Sequence, residues 1–179
     1  MPARRGVSSF RPRPPQPRRR ARAVGRPHFQ SAVKSLSAAT PPACQAEPFL
    51  WPVRVYYEDT DAGGVVYYAN YLKFTERART EWLRAMGFEQ TDLAERHGVV
   101  FVVRSAAIEY LKPARFNDEL RVSVELIKVG AGQIKLVQRV VRGDELLAPV
   151  TVRVACVGLR TMRPTRIPQP LATRIRTGN

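Results

Sequence analysis

The chain has 179 residues, which suits one domain with tails, and no apolar run of about 18 residues that would span a membrane. Its formal net charge of +15 comes from the two ends, because residues 49–159 hold fifteen basic and fourteen acidic side chains. A nucleic-acid-binding fold carries its positive charge on the folded surface, so this distribution argues against nucleic acid as a partner.

The N-terminal residues 1–48 are rich in Arg, Pro and Ala and contain one acidic residue, Glu47. Such a segment buries too little apolar surface to offset its ordering entropy, so a disordered basic extension is predicted. Three interpretations remain open: a translated upstream region, an organelle transit peptide, or a weak electrostatic anchor.

The folded part is predicted to begin near Phe49, with a strand over 52–57 in which Val53, Val55 and Tyr57 share one face. Apolar residues at helical spacing predict a long helix over 70–86, with Asn70 as N-cap and Gly87 just past its end. A short second helix is predicted over 89–97.

The helix–sheet core is predicted to contain Phe74, Trp82 and Met86 of the long helix. On that placement, Trp82→Ala would cost about 3–5 kcal/mol of stability.

Four strand-like runs follow the helices, over 99–111, 119–129, 132–142 and 145–158. The short breaks between them have turn chemistry and predict antiparallel neighbours. The predicted fold class is therefore α+β, one five-stranded antiparallel sheet covering one long helix. One helix cannot cover both faces of such a sheet, so we expect a homo-oligomer, a dimer or a tetramer.

The domain is predicted to span 49–165, with a basic C-terminal tail over 166–179. The chain after Leu159 is expected to be extended, because it contains Pro164, Pro168 and Pro170. Cys156 is interpreted as a buried small apolar residue. Since the two cysteines, Cys44 and Cys156, form no disulfide framework, a cytoplasmic location is predicted.

The segment 57–71 places two aspartates and two glycines between the first strand and the long helix. A carboxylate beside a sharp turn and a helix N-terminus can form a hydrolytic centre, in which free N–H groups hold a carbonyl oxygen. Asp61 could act as nucleophile or general base, and equally it could only organise the turn.

Two other acids are candidates for a role at this site. Asp59 would share a face with Asp61 in an extended chain, but a loop or capping role is favoured for it. Glu76, on the long helix, is the runner-up catalytic acid, although an exposed or ion-paired role suits its basic neighbours better. The two histidines are isolated, so no metal site is predicted.

The segment 53–71 and the element order resemble the hotdog-fold thioesterases of the 4-hydroxybenzoyl-CoA type. Within them, the chain is most similar to the Tol-Pal-associated acyl-CoA thioesterases. The helix run 74–81, the strand entry 101–104 and the ending 162–164 carry that closer resemblance. It covers about residues 50–170.

The resemblance implies hydrolysis of an acyl thioester of coenzyme A or acyl carrier protein, with no cofactor. It assigns the essential acid to Asp61 and the oxyanion site to backbone N–H near Tyr68. Related Tol-Pal-associated members often have His at this position, and a phenol cannot replace imidazole as a base at neutral pH. The predicted oxyanion and substrate-binding residues are Gly64, Val65, Tyr68, Asn70 and Tyr71.

Four basic side chains are candidates for contacts with coenzyme A phosphates, with solvated surface charge as the default interpretation. They are Lys112, Arg115, Arg160 and Arg163. The competing functional class is a non-enzymatic scaffold that binds acyl chains or acyl carrier at the cell envelope, with peripheral association to the inner membrane. A dehydratase of the same fold would need a histidine–acid pair, and neither histidine lies near the motif.

Overall fold

The computed structural model describes residues 48–177, so the prediction of disorder in the N-terminal extension lies outside the described residues. The described part contains five strands, three α-helices and one short 3-10 turn at Tyr57–Asp59. The elements in chain order are β1 (Phe49–Arg54), α1 (Asn70–Ala85), α2 (Gln90–His97), β2 (Val99–Ile108), β3 (Glu119–Val129), β4 (Gln133–Arg142), β5 (Glu145–Gly158) and α3 (Gln169–Thr177).

The five strands form one antiparallel sheet in the order β1-β3-β4-β5-β2. This confirms the predicted α+β architecture. The expectation that consecutive strands are neighbours holds for β3, β4 and β5 but is wrong for β2, which pairs with β5 instead of β3. The link from β2 to β3 crosses from one edge of the sheet towards the other, which its turn residues alone do not reveal.

Helix α2 packs on β2, and α1 packs mainly on β1, β3 and β4. Phe74 and Ala78 are fully buried beneath it, as the helical spacing predicts. Trp82 and Met86 are only partly buried at the core margin, so the predicted 3–5 kcal/mol loss for Trp82→Ala is an overestimate. Gly87 and Gly98 follow the two helices at the predicted positions.

The first strand ends earlier than its alternating pattern indicates. Val53 and Val55 are buried, but the chain turns after Arg54 and leaves Tyr57 80% exposed in the 3-10 turn. The predicted common face for Val53, Val55 and Tyr57 is therefore wrong at its last member. The local reason is a bond from the Tyr56 N–H to the Asp59 side chain, which competes with strand pairing.

The segment after β5 is not an extended tail. Helix α3 buries Leu171, Ala172 and Ile175 in the core, so the packed chain continues past residue 165. Pro170 lies in the first helical turn, where a missing N–H costs nothing. The prediction of an extended tail is therefore wrong, because the burial of three apolar residues on one helix face outweighs the effect of the prolines.

Cys156 is buried, as predicted, and burial raises the pKa of its thiol. Its Sγ lies 3.6 Å from the Arg166 carbonyl oxygen. No helix among residues 48–177 is long and apolar enough to cross a membrane.

Candidate active site

The motif between β1 and α1 folds into a small hairpin. Thr60 and Val66 form an antiparallel bridge, and the Asp61 N–H donates to the Val65 carbonyl at 3.0 Å. The Gly64 N–H closes the turn by donating to the Asp61 carbonyl, also at 3.0 Å. Gly64 has φ of +71°, a conformation that L side chains rarely adopt. The hairpin thus holds Asp61 beside the chain that returns to α1.

The Asp61 side chain is exposed at the tip of this hairpin. Its Oδ1 accepts the Gly63 N–H at 2.8 Å. A Cβ at residue 63 would lie 3.0 Å from that same oxygen, so glycine is needed for this contact. Among residues 48–177 no basic side chain forms an ion pair with Asp61. One oxygen is oriented by the turn while the other remains available for chemistry.

Asp59 and Asp61 have different surroundings, because Asp59, the last residue of the 3-10 turn, is buried and Asp61 is exposed. Asp59 is 95% buried, since its relative exposure is 5%, and its Oδ2 accepts the Tyr56 N–H at 2.9 Å. Its carbonyl oxygen accepts both the Asn70 Nδ2 and the Tyr67 N–H at 2.9 Å. The favoured capping role of Asp59 is confirmed, and its carboxylate does not adjoin the site.

Helix α1 begins at Asn70, but Asn70 is not its N-cap. The N-cap is Ala69, which has no side-chain cap, and the buried Asn70 amide is used instead to tie the helix to the Asp59 carbonyl. Within the described residues, the N–H groups of Tyr68 and Ala69 donate to no backbone carbonyl. These donors lie at the positive end of the α1 dipole, where a developing oxyanion is stabilised.

Aromatic side chains surround the helix start. Tyr68 is 59% exposed, whereas Tyr71 is buried and its hydroxyl oxygen accepts the Ala114 N–H at 2.9 Å. Burial is the main cause that raises the pKa of the Tyr71 phenol. Tyr71 is therefore part of the support of the site, and Tyr68 is the member of the pair that solvent and ligand can reach.

Sequence reasoning missed Tyr110, which lies just after β2. Its hydroxyl donates to the Tyr68 carbonyl at 3.0 Å, and its ring packs edge-on against Tyr68 and Tyr71 at 6.4 and 5.5 Å. Desolvation raises the pKa of its phenol. Tyr110 fixes the peptide next to the free N–H groups. No spacing in the sequence marks it, because it meets the motif only through tertiary packing.

The four proposed phosphate contacts do not lie together. Lys112 is paired with Glu145 at 2.6 Å, and this bond is the largest cause that lowers the pKa of Glu145. The Lys112 N–H donates to Leu147 at the start of β5, whereas Arg160 follows its end. At 3.3 Å per residue, this is about 40 Å along the strand.

The motif hairpin lies at the Lys112 end, because the Val66 N–H donates to the Ala114 carbonyl at 2.8 Å. Of the four basic residues, Lys112 and Arg115 are therefore near Asp61 of the same chain. Arg160 and Arg163 follow the other end of β5, at the opposite end of the sheet.

Glu76 lines a groove that α1 forms with strands β2, β4 and β5. Its Oε1 accepts the Thr80 hydroxyl at 2.9 Å, and its side chain is exposed. This placement suits substrate contact along α1 better than service as the primary acid, since Glu76 lies about two turns from the free N–H groups at the helix start.

Residues 48–177 contain no group of side chains suited to bind a metal ion. Across the part of the chain that the structure describes, no three His, Cys, Asp or Glu side chains come together. His97, the histidine of that part, is exposed at the end of α2.

Comparison with known proteins identifies the family of this chain. A model of the thioesterase-like superfamily matches residues 55–175. The acyl-CoA thioesterase YbgC of Haemophilus influenzae is 50% identical over 121 residues, which cover 68% of this chain and 89% of that protein. The acyl-CoA thioester hydrolase YbgC of Escherichia coli O6:H1 is 46% identical over 130 residues, 72% of this chain and 96% of that protein.

A solved structure shows the same fold. The crystal structure of a probable thioesterase from Bartonella henselae superposes with a TM-score of 0.63 and 34% sequence identity. The match covers 66% of this chain and 98% of the other. The long N-terminal extension accounts for most of what the match leaves uncovered here.

Proposed function

Because the chain belongs to the thioesterase-like superfamily and is an acyl-CoA thioesterase by this relationship, we propose that Asp61 is its catalytic acid. The Tyr68 and Ala69 N–H groups are the proposed oxyanion donors. The alternative of a non-enzymatic acyl-binding scaffold is not favoured, since the relatives are named as hydrolases.

This proposal rests on the exposure and the contacts of the Asp61 carboxylate. Its carboxylate is exposed, oriented through Oδ1 by the Gly63 N–H, and unpaired with any basic side chain of residues 48–177. The hairpin also returns the chain directly to the helix start that carries the free N–H groups.

Two chemical routes fit this arrangement. As nucleophile, an Asp61 oxygen bonds to the thioester carbon, the carbon–sulfur bond breaks, and the thiolate leaves and takes a proton from water. Water then cleaves the resulting anhydride to the acid and free Asp61. As base, Asp61 takes a proton from a water that attacks the same carbon, and the thiolate leaves with that proton. In both, the carbonyl oxygen becomes an anion held by backbone N–H.

The decisive experiment compares release of free thiol from short, long and aromatic acyl-CoAs by wild type and Asp61→Asn. We expect a loss of about a hundredfold or more in kcat, the scale of a missing acid–base group. Asp144→Asn, in the exposed β4–β5 turn, is the matched control and should retain full activity. Equal rates for wild type and a folded Asp61→Asn would refute the assignment and direct attention to Glu76.

The same enzyme can be tested for the nucleophilic route with hydroxylamine under single-turnover conditions. An anhydride on Asp61 would be trapped as a hydroxamate on the protein, whereas the base route leaves the protein unmodified. Acyl carrier protein thioesters belong in the same assay, because its pantetheine thiol ester presents the same reacting atoms. A thioester is already activated, so the proposed reaction needs no metal or cofactor.

We further propose that the working form is a homo-oligomer. Helix α1 packs mainly on β1, β3 and β4, and β2 ends the sheet with exposed residues over 103–107. A second copy would cover this face and edge. We also propose that the protein is located in the cytoplasm. Peripheral association at the inner membrane and a link to the Tol-Pal system are further parts of this proposal.

A further inference from the structure

The loop that joins β2 to β3, residues 109–118, makes contacts that hold the motif hairpin. The Ala114 carbonyl accepts the Val66 N–H at 2.8 Å, and the Ala114 N–H donates to the Tyr71 hydroxyl at 2.9 Å. Val66 lies in the returning arm of the hairpin, one residue after the carbonyl that accepts the Asp61 N–H. The position of Asp61 relative to the helix start therefore depends on where Ala114 is held.

This β2–β3 loop has few apolar contacts of its own. Of residues 109–118 only Ala114 is buried, so burial of side chains contributes little to fixing the path of the loop. Near its ends, the Leu111 and Asn117 N–H groups donate to backbone carbonyls of neighbouring segments at 2.9 and 3.1 Å. The stretch between them, which contains Ala114, depends on contacts with side chains.

Arg142, the last residue of β4, supplies such contacts on both sides of Ala114. Its Nη1 donates to the Pro113 carbonyl, just before Ala114, at 3.4 Å and to the Asp118 Oδ2 at 2.6 Å. The same Asp118 oxygen accepts the N–H of Arg115, just after Ala114, at 2.8 Å. One guanidinium is therefore linked to the residue before Ala114 and, through one carboxylate, to the residue after it.

A second carboxylate fixes the guanidinium itself. The Arg142 Nη2 donates to the Glu145 Oε2 across the β4–β5 turn, and the other Glu145 oxygen accepts the Lys112 Nζ of the loop at 2.6 Å. The side chains of Arg142, Asp118 and Glu145 are at most 34% exposed. Charge-assisted bonds of a planar guanidinium are directional, and partly buried pairs are screened by salt less than exposed pairs are.

We propose that Arg142 is a positioning residue for the reaction at Asp61. By holding the β2–β3 loop on either side of Ala114, it keeps the Ala114 carbonyl against the Val66 N–H and so keeps the hairpin beside the start of α1. The inference rests on the proposed function, and it gives Arg142 no contact with substrate and no chemical step of its own.

The effect on rate follows from the precision that a nucleophile or base requires. A displacement of about 1 Å in a reacting group can lower a rate by as much as about a hundredfold, even when its cause lies outside the site. Without the Arg142 side chain the loop would lose its contacts beside Ala114, and the Val66–Ala114 bond would open more often. Tyr71→Phe differs, because it leaves the loop held on both sides of Ala114.

The first test is the steady-state kinetics of Arg142→Met with the acyl-CoA that the wild type hydrolyses fastest. We expect kcat to fall about tenfold and KM to stay within about twofold, as for a displaced reacting group. Arg139→Met is the matched control, because Arg139 lies on the same strand and pairs with Glu125, outside the loop. Its kcat and KM should stay near wild type. A raised KM at unchanged kcat in Arg142→Met would indicate a substrate contact and overturn the inference.

Asp118→Asn disrupts the same contact from the other side. An asparagine oxygen can still accept the Arg115 N–H, so this variant removes the ion pair and keeps the turn. Because the two residues act as a pair, the double variant Arg142→Met with Asp118→Asn should lose about as much kcat as the more affected single variant. Losses that multiply would show independent effects and overturn the inference.

Amide hydrogen exchange of Val66 tests the structural step without substrate. Arg142→Met should speed this exchange, whereas Arg139→Met should leave it at the wild-type rate. A folded Arg142→Met with wild-type kcat, or with unchanged Val66 exchange, would overturn the inference and leave the thioesterase proposal intact. A wild type that releases no thiol from any acyl-CoA would overturn the proposed function, and Val66 exchange would still decide whether Arg142 holds the hairpin.

Discussion

At the residue scale, the site is built from side chains that serve backbone groups. The Asp61 carboxylate accepts the Gly63 N–H, and the Asp59 carboxylate accepts the Tyr56 N–H. The Asn70 amide donates to the Asp59 carbonyl. Tyr110 fixes the Tyr68 peptide. Each bond contributes about 0.5–1.5 kcal/mol net, but losing one partner of a buried pair costs more. These bonds fix the segment between β1 and α1, and of Asp59, Asp61 and Asn70 it is Asp61 that is exposed to solvent.

Tyr71→Phe should show this distinction between support and chemistry. The variant leaves the buried Ala114 N–H without its acceptor and should lose about 1–3 kcal/mol of stability. Denaturant unfolding measures the loss, and kcat per folded molecule should change little, because the Tyr71 hydroxyl does not face solvent. A tyrosine that contacts substrate would instead give normal stability and reduced kcat.

The same variant predicts a pH effect. Burial raises the folded-state pKa of Tyr71 above the usual value of about 10, so the folded state holds this proton more tightly than the unfolded state. This stability is complete below about pH 10 and is lost as pH rises through the folded pKa. Between pH 9 and 11.5, unfolding free energy should fall more steeply in wild type than in Tyr71→Phe. If the unfolding free energies of the two proteins changed with pH in parallel, the raised pKa of Tyr71 would be contradicted.

At the element scale, the outer face of the sheet carries an unusual row of charge. Lys128 on β3 pairs with Lys135 on β4, and Lys135 pairs with Arg153 on β5. Directly opposite residues share a face, and like charges there repel. Within residues 48–177 none of the three forms an ion pair. The three strands are held together here by their backbone bonds and inner face despite this repulsion.

Lys135→Glu should therefore stabilise the fold. It replaces two repulsive cross-strand pairs with two attractive ones, each of about 0.2–1 kcal/mol. Lys135→Gln, which removes the charge only, should give a smaller gain, and high salt should reduce both. Thermal unfolding of the three proteins at low and high salt provides the measurement. A lower Tm for Lys135→Glu at low salt would show that this row is not repulsive.

At the scale of the whole molecule, the two edge strands of the sheet, β1 and β2, have different surroundings. Helix α3 adds Leu171 and Ile175 to the core, and α1 covers the β1 side. On the other side α2 packs on β2, and β2 has an unpaired edge within the described residues. Edges of this kind are protected in soluble proteins by charge, by covering elements or by a second chain. The small and apolar residues of this edge favour a second chain.

Ala106→Lys should weaken that association. Ala106 is exposed on the edge strand, and lysine at an edge opposes pairing with another sheet. Light scattering over a concentration series should give a mass of two or more chains for wild type and a shift towards one chain for the variant. Ala85→Lys, at the exposed end of α1, is the control and should keep the wild-type mass. A wild type that is monomeric at every concentration would contradict the proposal.

The amino-acid sequence by itself determined the order of the elements and marked the motif that we propose as the reaction site. Helical spacing in α1, strand patterns in β3 to β5 and the Asp–Gly turn at Asp61 depend on residues a few positions apart. Steric preferences of the backbone and burial of one face act over that range, so they can be recognised in the chain before it folds.

Only the tertiary structure decided which distant residues meet. It placed β2 beside β5, folded α3 onto the core, buried Asp59 away from Asp61, and brought Tyr110 to the helix start. It also placed Arg79 on Gln138 and left the four candidate phosphate-binding residues at opposite ends of the sheet. These outcomes depend on burial and hydrogen bonding between segments far apart in the chain, whose relative positions no local pattern specifies.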